Sequence, residues 1–229
     1  MSKIKVSGKR PFQFTLIASL QFVLLTLIAM PFYPGGTHTD PTTSGYSFFR
    51  NFFSSLGLNV SPNGETNTIA AILFFIALSV AGLGLVVYFI VEPQFFWHKR
   101  SQRILSILGS IFGIFSGVCF IGVAFTPADL VPAAHGWFVF NAFRSFLVVV
   151  VFYAIAILLN RDYPNIYAGV YVLFAVMLAG YIWLMINGPG IDTTNGEIVQ
   201  VTGQKIIVYA SIICMGIQSY GSMRLSESG

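Results

Sequence analysis

The sequence predicts an all-α integral membrane protein in which six transmembrane helices form one bundle. The first observation is composition, since 55% of the residues are hydrophobic and only 9% are charged, whereas soluble domains have about 25% charged residues. The second is a series of six apolar runs, each long enough to cross a bilayer. The third is that basic residues cluster in a few short segments between these runs. A chain so poor in charge cannot cover a water-soluble globule.

The six predicted spans follow one another from residue 12 to residue 220 with loops between them, and we treat residues 1–229 as a single transmembrane domain. The longest predicted loop lies between the first two spans, and a second polar loop precedes the last span. No internal repeat is evident, which gives no support to an inverted-repeat transporter. The predicted spans cover about residues 12–33, 68–91, 104–125, 134–159, 166–186 and 205–220.

The distribution of Lys and Arg predicts the orientation in the membrane. With six spans both termini lie on one side, and nine of the twelve basic residues fall there. Only Arg50 and Lys205 are assigned to the opposite side, while Arg144 lies within a span. Because cytoplasmic segments carry the excess of basic residues, both termini are expected in the cytoplasm, with the protein in the plasma (inner) membrane. The basic residues therefore indicate the membrane topology and do not suggest nucleic-acid binding.

A short amphipathic helix is expected in the first outer loop. Apolar residues recur at helical spacing between Phe48 and Leu56, with Arg50, Asn51 and Ser54 between them. Gly57 then provides a stop signal. The segment is too short to span a bilayer, so we expect it to lie at the outer membrane interface.

Arg144 is the residue that most needs explanation. It lies nine residues past His135, about 13 Å along a helix and near the middle of the bilayer. A guanidinium at that depth is expected to face the bundle interior, and Asn141 on nearly the same face would help to build a polar pocket. Two interpretations stay open: a structural Arg satisfied by carbonyls and water, or one that binds a lipid phosphate or another anion.

Polar residues of the outer loops could form the roof of that pocket. Asp129 and His135 flank the turn between the third and fourth spans, and Arg50 lies in the first loop. We therefore predict a ligand-binding set at the outer face. Its members are Arg144, Asn141, His135, Asp129 and Arg50.

A metal site at the outer face is the less favoured alternative. Its candidate ligands would be His38, Asp40, Asp129 and His135, residue types that bind zinc, but their spacing matches no recognised ligand motif. We expect no bound metal and no cofactor.

Three glycines on the third span, Gly109, Gly113 and Gly117, recur every four residues. Small residues at this spacing let helices approach closely in lipid. They predict either a contact between helices of this chain or a face for a membrane-protein partner.

Two stretches resemble a group of bacterial and archaeal six-helix membrane proteins of unknown function, distantly similar to DRAM-like and FGF-receptor-activating-protein-like families. Asn51 to Gly57 is similar to their Asn-x-x-Ser-Asp-Leu-Gly pattern, with Ser55 in place of the Asp. Pro127-Ala128-Asp129 followed by His135 is similar to their Pro-x-Asp…His feature. The resemblance implies a six-span layout and no settled activity, although some relatives are tied to lipid handling.

These observations predict a multi-pass membrane protein that binds a lipid or another hydrophobic or anionic ligand, or that serves as a subunit of a membrane assembly. Membrane lipids are its expected partners. One alternative is a metal-assisted lipid hydrolase at the outer face, and a second is a small transporter. The sequence contains no G-x-S-x-G, HExxH or P-loop motif, so an enzyme is the less favoured class.

Overall fold

The computed structural model describes residues 8–228. Within this range the regular elements are helices, and six of them are long and apolar enough to cross a membrane. The predicted all-α, six-span architecture is confirmed. The six are α1 (Arg10–Ala29), α2 (Thr68–Val91), α3 (Arg100–Phe125), α4 (Pro132–Leu158), α5 (Asn165–Asn187) and α6 (Thr194–Ser228).

The helices form a closed ring in chain order. Each helix packs against the next, and α6 packs against α1 to complete the ring. At one end Lys9 Nζ lies 2.9 Å from Glu227 Oε1, which joins the two ends of the described chain. We call this end the tail side. The opposite end, covered by residues 34–67, is the cap side, and those residues are the cap.

Aromatic side chains fill the interior of the ring. The rings of Phe89 and Phe146 pack edge to face, as do those of Phe146 and Phe174. Such pairs add to the stabilisation from buried area. The largest aromatic side chains that are fully buried are Tyr88, Tyr153, Tyr171, Phe12, Phe89, Phe96 and Phe146.

The glycines of α3 let it lie close to its two neighbours. A Cβ on Gly117 would be 2.7 Å from the carbonyl oxygen of Gly82 on α2, and a Cβ on Gly113 would overlap the ring of Phe89. On the other flank, Gly109 lies against the Tyr153 ring of α4. The glycine stripe thus makes helix contacts within the chain, and α2 and α4 occupy the face that a partner would need.

The cap differs from the predicted amphipathic helix. Residues 48–50 form a turn, and a 3₁₀ helix covers only Phe53–Gly57. Phe52 has an extended backbone, which interrupts the predicted helix. The 3₁₀ helix begins after it, with the Ser55 amide donating to the Phe52 carbonyl at 3.1 Å. The Tyr46 hydroxyl lies 3.0 and 2.9 Å from the carbonyl oxygens of Asn51 and Phe52 and holds this irregular segment in place.

The last helix is longer than the span predicted at residues 205–220. It runs over 35 residues from Thr194 to Ser228, about 52 Å, and so exceeds the hydrocarbon thickness of about 30 Å. The segment predicted as a polar loop supplies its first turns. These turns carry Glu197, Gln204 and Lys205, which face the cap.

Candidate functional site

Glu197 gathers separate parts of the cap onto the first turn of α6. Its side chain is fully buried and accepts hydrogen bonds from the backbone amides of His38 (2.7 Å) and Thr39 (3.3 Å). The Thr39 hydroxyl and the Arg50 Nε donate at 2.8 and 3.1 Å. Charge-assisted hydrogen bonds of this kind are about twice as strong as neutral ones. Sequence reasoning placed Glu197 in an outer loop and missed this role.

Lys205 lies two turns further along α6 and is only 3% exposed. Its Nζ donates a hydrogen bond of 2.8 Å to the carbonyl of Asn51 and another to the Tyr46 hydroxyl. The ammonium also lies over three aromatic rings of the cap, an arrangement that stabilises a buried cation. The Nζ-to-centroid distances are 3.9 Å for Phe53, 5.0 Å for Tyr46 and 5.2 Å for Phe48.

Arg50, a predicted ligand-binding residue, binds within the protein. Besides its bond to Glu197, its Nη2 donates to the Thr39 hydroxyl at 2.9 Å, and its Nη1 is 3.9 Å from Asp40 Oδ2. The pKa of Asp40 is lowered, chiefly by a hydrogen bond from the Thr42 hydroxyl. The guanidinium thus holds the cap to α6.

Asp129 and His135 also make local structural contacts. The Asp129 carboxylate accepts hydrogen bonds from the backbone amides of Asn59 (3.1 Å) and Val60 (2.9 Å), which ties the α3–α4 turn to the cap. His135 is buried, and its Nδ1 donates to the carbonyl of Thr126 at 2.6 Å. Both residues lie on the cap side, as their positions in the sequence predict.

The four candidate metal ligands are not assembled. Among residues 8–228 no group of three or more His, Cys, Asp or Glu side chains is close enough together to hold a metal ion. Asp40 and Asp129 instead accept the hydrogen bonds described above. The hydrolase alternative thereby loses the ligand set on which it depended.

Arg144 does not point into the bundle, and that prediction is wrong. Its side chain is exposed on the outer surface of α4, with the guanidinium carbon 4.9 Å from the centroid of the Phe140 ring. Asn141 donates to the Trp137 carbonyl of its own helix. The inward face of α4 carries Phe143 and Phe146, whose rings occupy the place expected for a polar pocket.

A cavity of about 70 Å³ lies near the centre of the ring. A second cavity of about 40 Å³ adjoins it towards the cap, where Phe53 and Gln204 line it. The two share the side chains of Phe22, Leu78, Phe120, Phe143 and Val208. Further residues around the first cavity are Ser19, Ala81, Gly82, Leu85, Phe146, Ser211, Ile212 and Met215.

A buried acid on the tail side was not found from the sequence. Glu92, at the end of α2, is 1% exposed and accepts hydrogen bonds from the Tyr163 hydroxyl (3.0 Å) and the Ser222 hydroxyl (2.8 Å). The Tyr88 hydroxyl lies 3.3 Å from the same Ser222 oxygen. The only sequence signal was an acid directly after an apolar run, which usually marks a solvated helix end.

No protein-family model, no curated protein and no solved structure matches this chain. The resemblance drawn from residues 51–57 and 127–135 therefore stays a prediction. The two cavities and the polar contacts around them are the basis for assigning a function.

Proposed function

We propose that this membrane protein binds an apolar chain of a lipid or of another hydrophobic molecule in the cavity at the centre of the helix ring. The observation that carries the proposal is the lining of that cavity, which is almost entirely apolar and comes from five of the six helices. An apolar cavity excludes water and favours apolar guests.

The hydrogen bonds made by the two serines in the cavity wall favour an apolar ligand. The Ser19 hydroxyl donates to the Thr15 carbonyl at 2.9 Å, and the Ser211 hydroxyl donates to the Val208 carbonyl at 2.7 Å. Both hydroxyl donors are therefore already used within their own helices. A polar guest would gain little there and would lose its hydrogen bonds to water.

The volumes of the two cavities are suitable for part of an acyl chain. An engineered protein cavity of about 150 Å³ binds benzene. Here a cavity of about 70 Å³ shares five lining residues with one of about 40 Å³. We expect the two together to hold the end of one alkyl chain, with Phe53 of the cap lining the far end.

The bilayer offers a route into the cavity. Ser19 and Phe22 of α1 and Ser211 and Ile212 of α6 line its wall, and Ser19, Ser211 and Ile212 are partly exposed. The cavity thus adjoins the seam where α1 meets α6. A lipid chain could enter sideways through this seam without passing the cap.

Photocrosslinking tests the proposal. The full chain would be reconstituted in nanodiscs with a lipid that carries a diazirine near the end of one acyl chain, and labelled residues would be mapped by mass spectrometry. We expect labelling of cavity residues such as Leu78 and Met215. Ala81→Leu, which fills the cavity, should remove this labelling.

Ala179→Leu is the matched control, because Ala179 is exposed on the surface of α5 and the same added volume would face lipid. It should leave cavity labelling intact. Labelling restricted to lipid-facing residues such as Val176, or equal labelling of the two variants at Leu78 and Met215, would overturn the proposal.

A further inference from the structure

Arg144 lies near the middle of α4, on the surface that faces away from the helix bundle. It is twelve residues from Pro132 and fourteen from Leu158 at the two ends of α4, about 18 and 21 Å along the axis. Its side chain is exposed. If α4 crosses the bilayer, the guanidinium faces the hydrocarbon at about mid-depth.

Contacts within the protein do not neutralise this charge. The ring of Phe140 at 4.9 Å gives a cation–π contact, but among residues 8–228 the ion pairs at 4.0 Å or less join other side chains. Charged side chains inside membranes normally pair with one another or face a polar cavity. Arg144 therefore lacks the counter-charge that its depth requires.

A lipid headgroup is too far away to supply that charge. Phosphates lie beyond a hydrocarbon core about 30 Å thick, so each layer of phosphates is about 15 Å or more from mid-depth. The Arg144 guanidinium reaches only one turn towards the cap side, where it lies over the ring of Phe140. Phe140 is still eight residues from Pro132 at that end of α4, about 12 Å along the axis.

A second copy of the chain also lacks the required acid. The chain has eight Asp and Glu residues, and each lies in a loop or near a helix end. A symmetric pairing of two α4 helices would bring two Arg144 guanidinium groups together. The acids are Asp40, Glu65, Asp129, Asp192 and Glu197 towards the cap side and Glu92, Asp162 and Glu227 towards the tail side.

We propose that the exposed face of α4 centred on Arg144 binds a transmembrane helix of a different protein, and that this helix carries an Asp or Glu at mid-depth. An acid on the partner would neutralise both charges in one contact, and a carboxylate matches the planar guanidinium geometrically. This proposal is independent of the central cavity, because Arg144 points away from it.

The other residues on the Arg144 face of α4 would allow a second helix to pack along it. Trp137, Asn141, Val148 and Val151 recur on the same side as Arg144, and each is exposed or partly exposed. A neighbouring helix could pack along this row, with Asn141 as a second polar contact one turn away. Polar side chains of this kind hold helices together in lipid.

The test uses a synthetic single-span leucine peptide with one Asp at its centre, reconstituted with the full chain in phosphatidylcholine nanodiscs. Association is measured by energy transfer between dyes on the peptide and on the protein. Matched peptides carry Asn or Leu in place of the Asp. We expect the Asp peptide to associate with the wild-type protein roughly tenfold more strongly than the Leu peptide.

Substitutions of Arg144 distinguish the contribution of its charge to peptide association from the contribution of packing. Arg144→Leu should lose the preference for the Asp peptide, whereas Arg144→Lys should keep part of it. Arg144→Glu should reject the Asp peptide and associate with a peptide that carries Lys. This exchange of both charges keeps the test decisive if one variant folds poorly.

Three results would overturn the proposal. One is equal association of the Asp peptide with the wild-type protein and with Arg144→Leu, or no association with either. Another is self-association of the protein without peptide that disappears in Arg144→Leu, which would identify a second copy as the partner. The third is displacement of the Asp peptide by added phosphatidylglycerol, which would assign Arg144 to an anionic lipid.

Discussion

Glu197 and Arg50 lie 147 residues apart in the chain and form a hydrogen-bonded ion pair, with Arg50 Nε 3.1 Å from Glu197 Oε2. The carboxylate is fully buried, and the guanidinium side chain is 22% exposed. The same carboxylate accepts the backbone amides of His38 and Thr39. The pair therefore fixes the cap to the start of α6, and the cap in turn lines the end of the cavity system.

Glu197→Gln should destabilise the protein by about 2–4 kcal/mol, because it removes the buried counter-charge of Arg50 and one acceptor oxygen and leaves only the longer contact to Asp40. The free energy of unfolding in detergent would measure this, and the backbone amides of His38 and Thr39 should exchange with deuterium faster. Asp192→Asn is the control, since Asp192 is exposed just before α6. Equal effects of the two variants would show that the ion pair does not anchor the cap.

Lys205→Met should loosen the cap, because it removes the donor to the Asn51 carbonyl and the cation over the Phe53 ring. We expect a loss of about 1–3 kcal/mol and faster tryptic cleavage after Arg50. Lys205→Arg should not restore the wild-type rate, because a planar guanidinium is larger than the ammonium that the rings surround. Lys99→Met, at an exposed position on the tail side, is the control and should leave the cleavage rate unchanged.

The buried phenol of Tyr163 should make the stability of the protein decrease at alkaline pH. Burial raises the pKa of its phenol well above the usual value, so the folded state keeps a proton that the unfolded state loses above about pH 10. Stability should therefore fall as pH rises through that range. In Tyr163→Phe the slope of unfolding free energy against pH should be smaller by up to about 1.4 kcal/mol per pH unit.

Phe96→Leu is the control for this slope, since Phe96 is buried and stacks on Tyr163 at 5.4 Å without a titratable group. It should lower stability at every pH and keep the wild-type slope. An unchanged slope in Tyr163→Phe would contradict the assignment. The comparison separates loss of packing from loss of the buried phenol.

The sequence predicts the ends of a helix accurately where its apolar run is bounded by polar residues or by proline. For α2 the predicted bounds and the observed Thr68–Val91 are the same, because polar loop residues precede it and Glu92-Pro93 follow it. For α6 the prediction began eleven residues late. The first turns of this helix carry Glu197, Gln204 and Lys205, whose polarity resembles that of a loop until their partners in the cap are known.

The orientation of α4 could not be derived from its sequence. The helix is apolar on both faces, with Phe143 and Phe146 buried while Val151 and Ile155 are exposed, so hydropathy does not distinguish the packed side. The cost of a charge in lipid predicts an inward-facing Arg144. An inward position requires a polar pocket, and aromatic packing between α4 and α5 leaves no room for one.

Labelling of single cysteines should establish which side of the membrane the cap occupies. The native Cys119 and Cys214 are buried, so they give little background with a membrane-impermeant maleimide. Thr193 and Ser101 are both exposed and lie before α6 and at the start of α3. Since Lys99, Arg100 and Arg103 flank the second position, the excess of basic residues predicts that this side is cytoplasmic. In intact cells Thr193→Cys should therefore react and Ser101→Cys should react only after lysis, whereas the opposite order would place the cap in the cytoplasm.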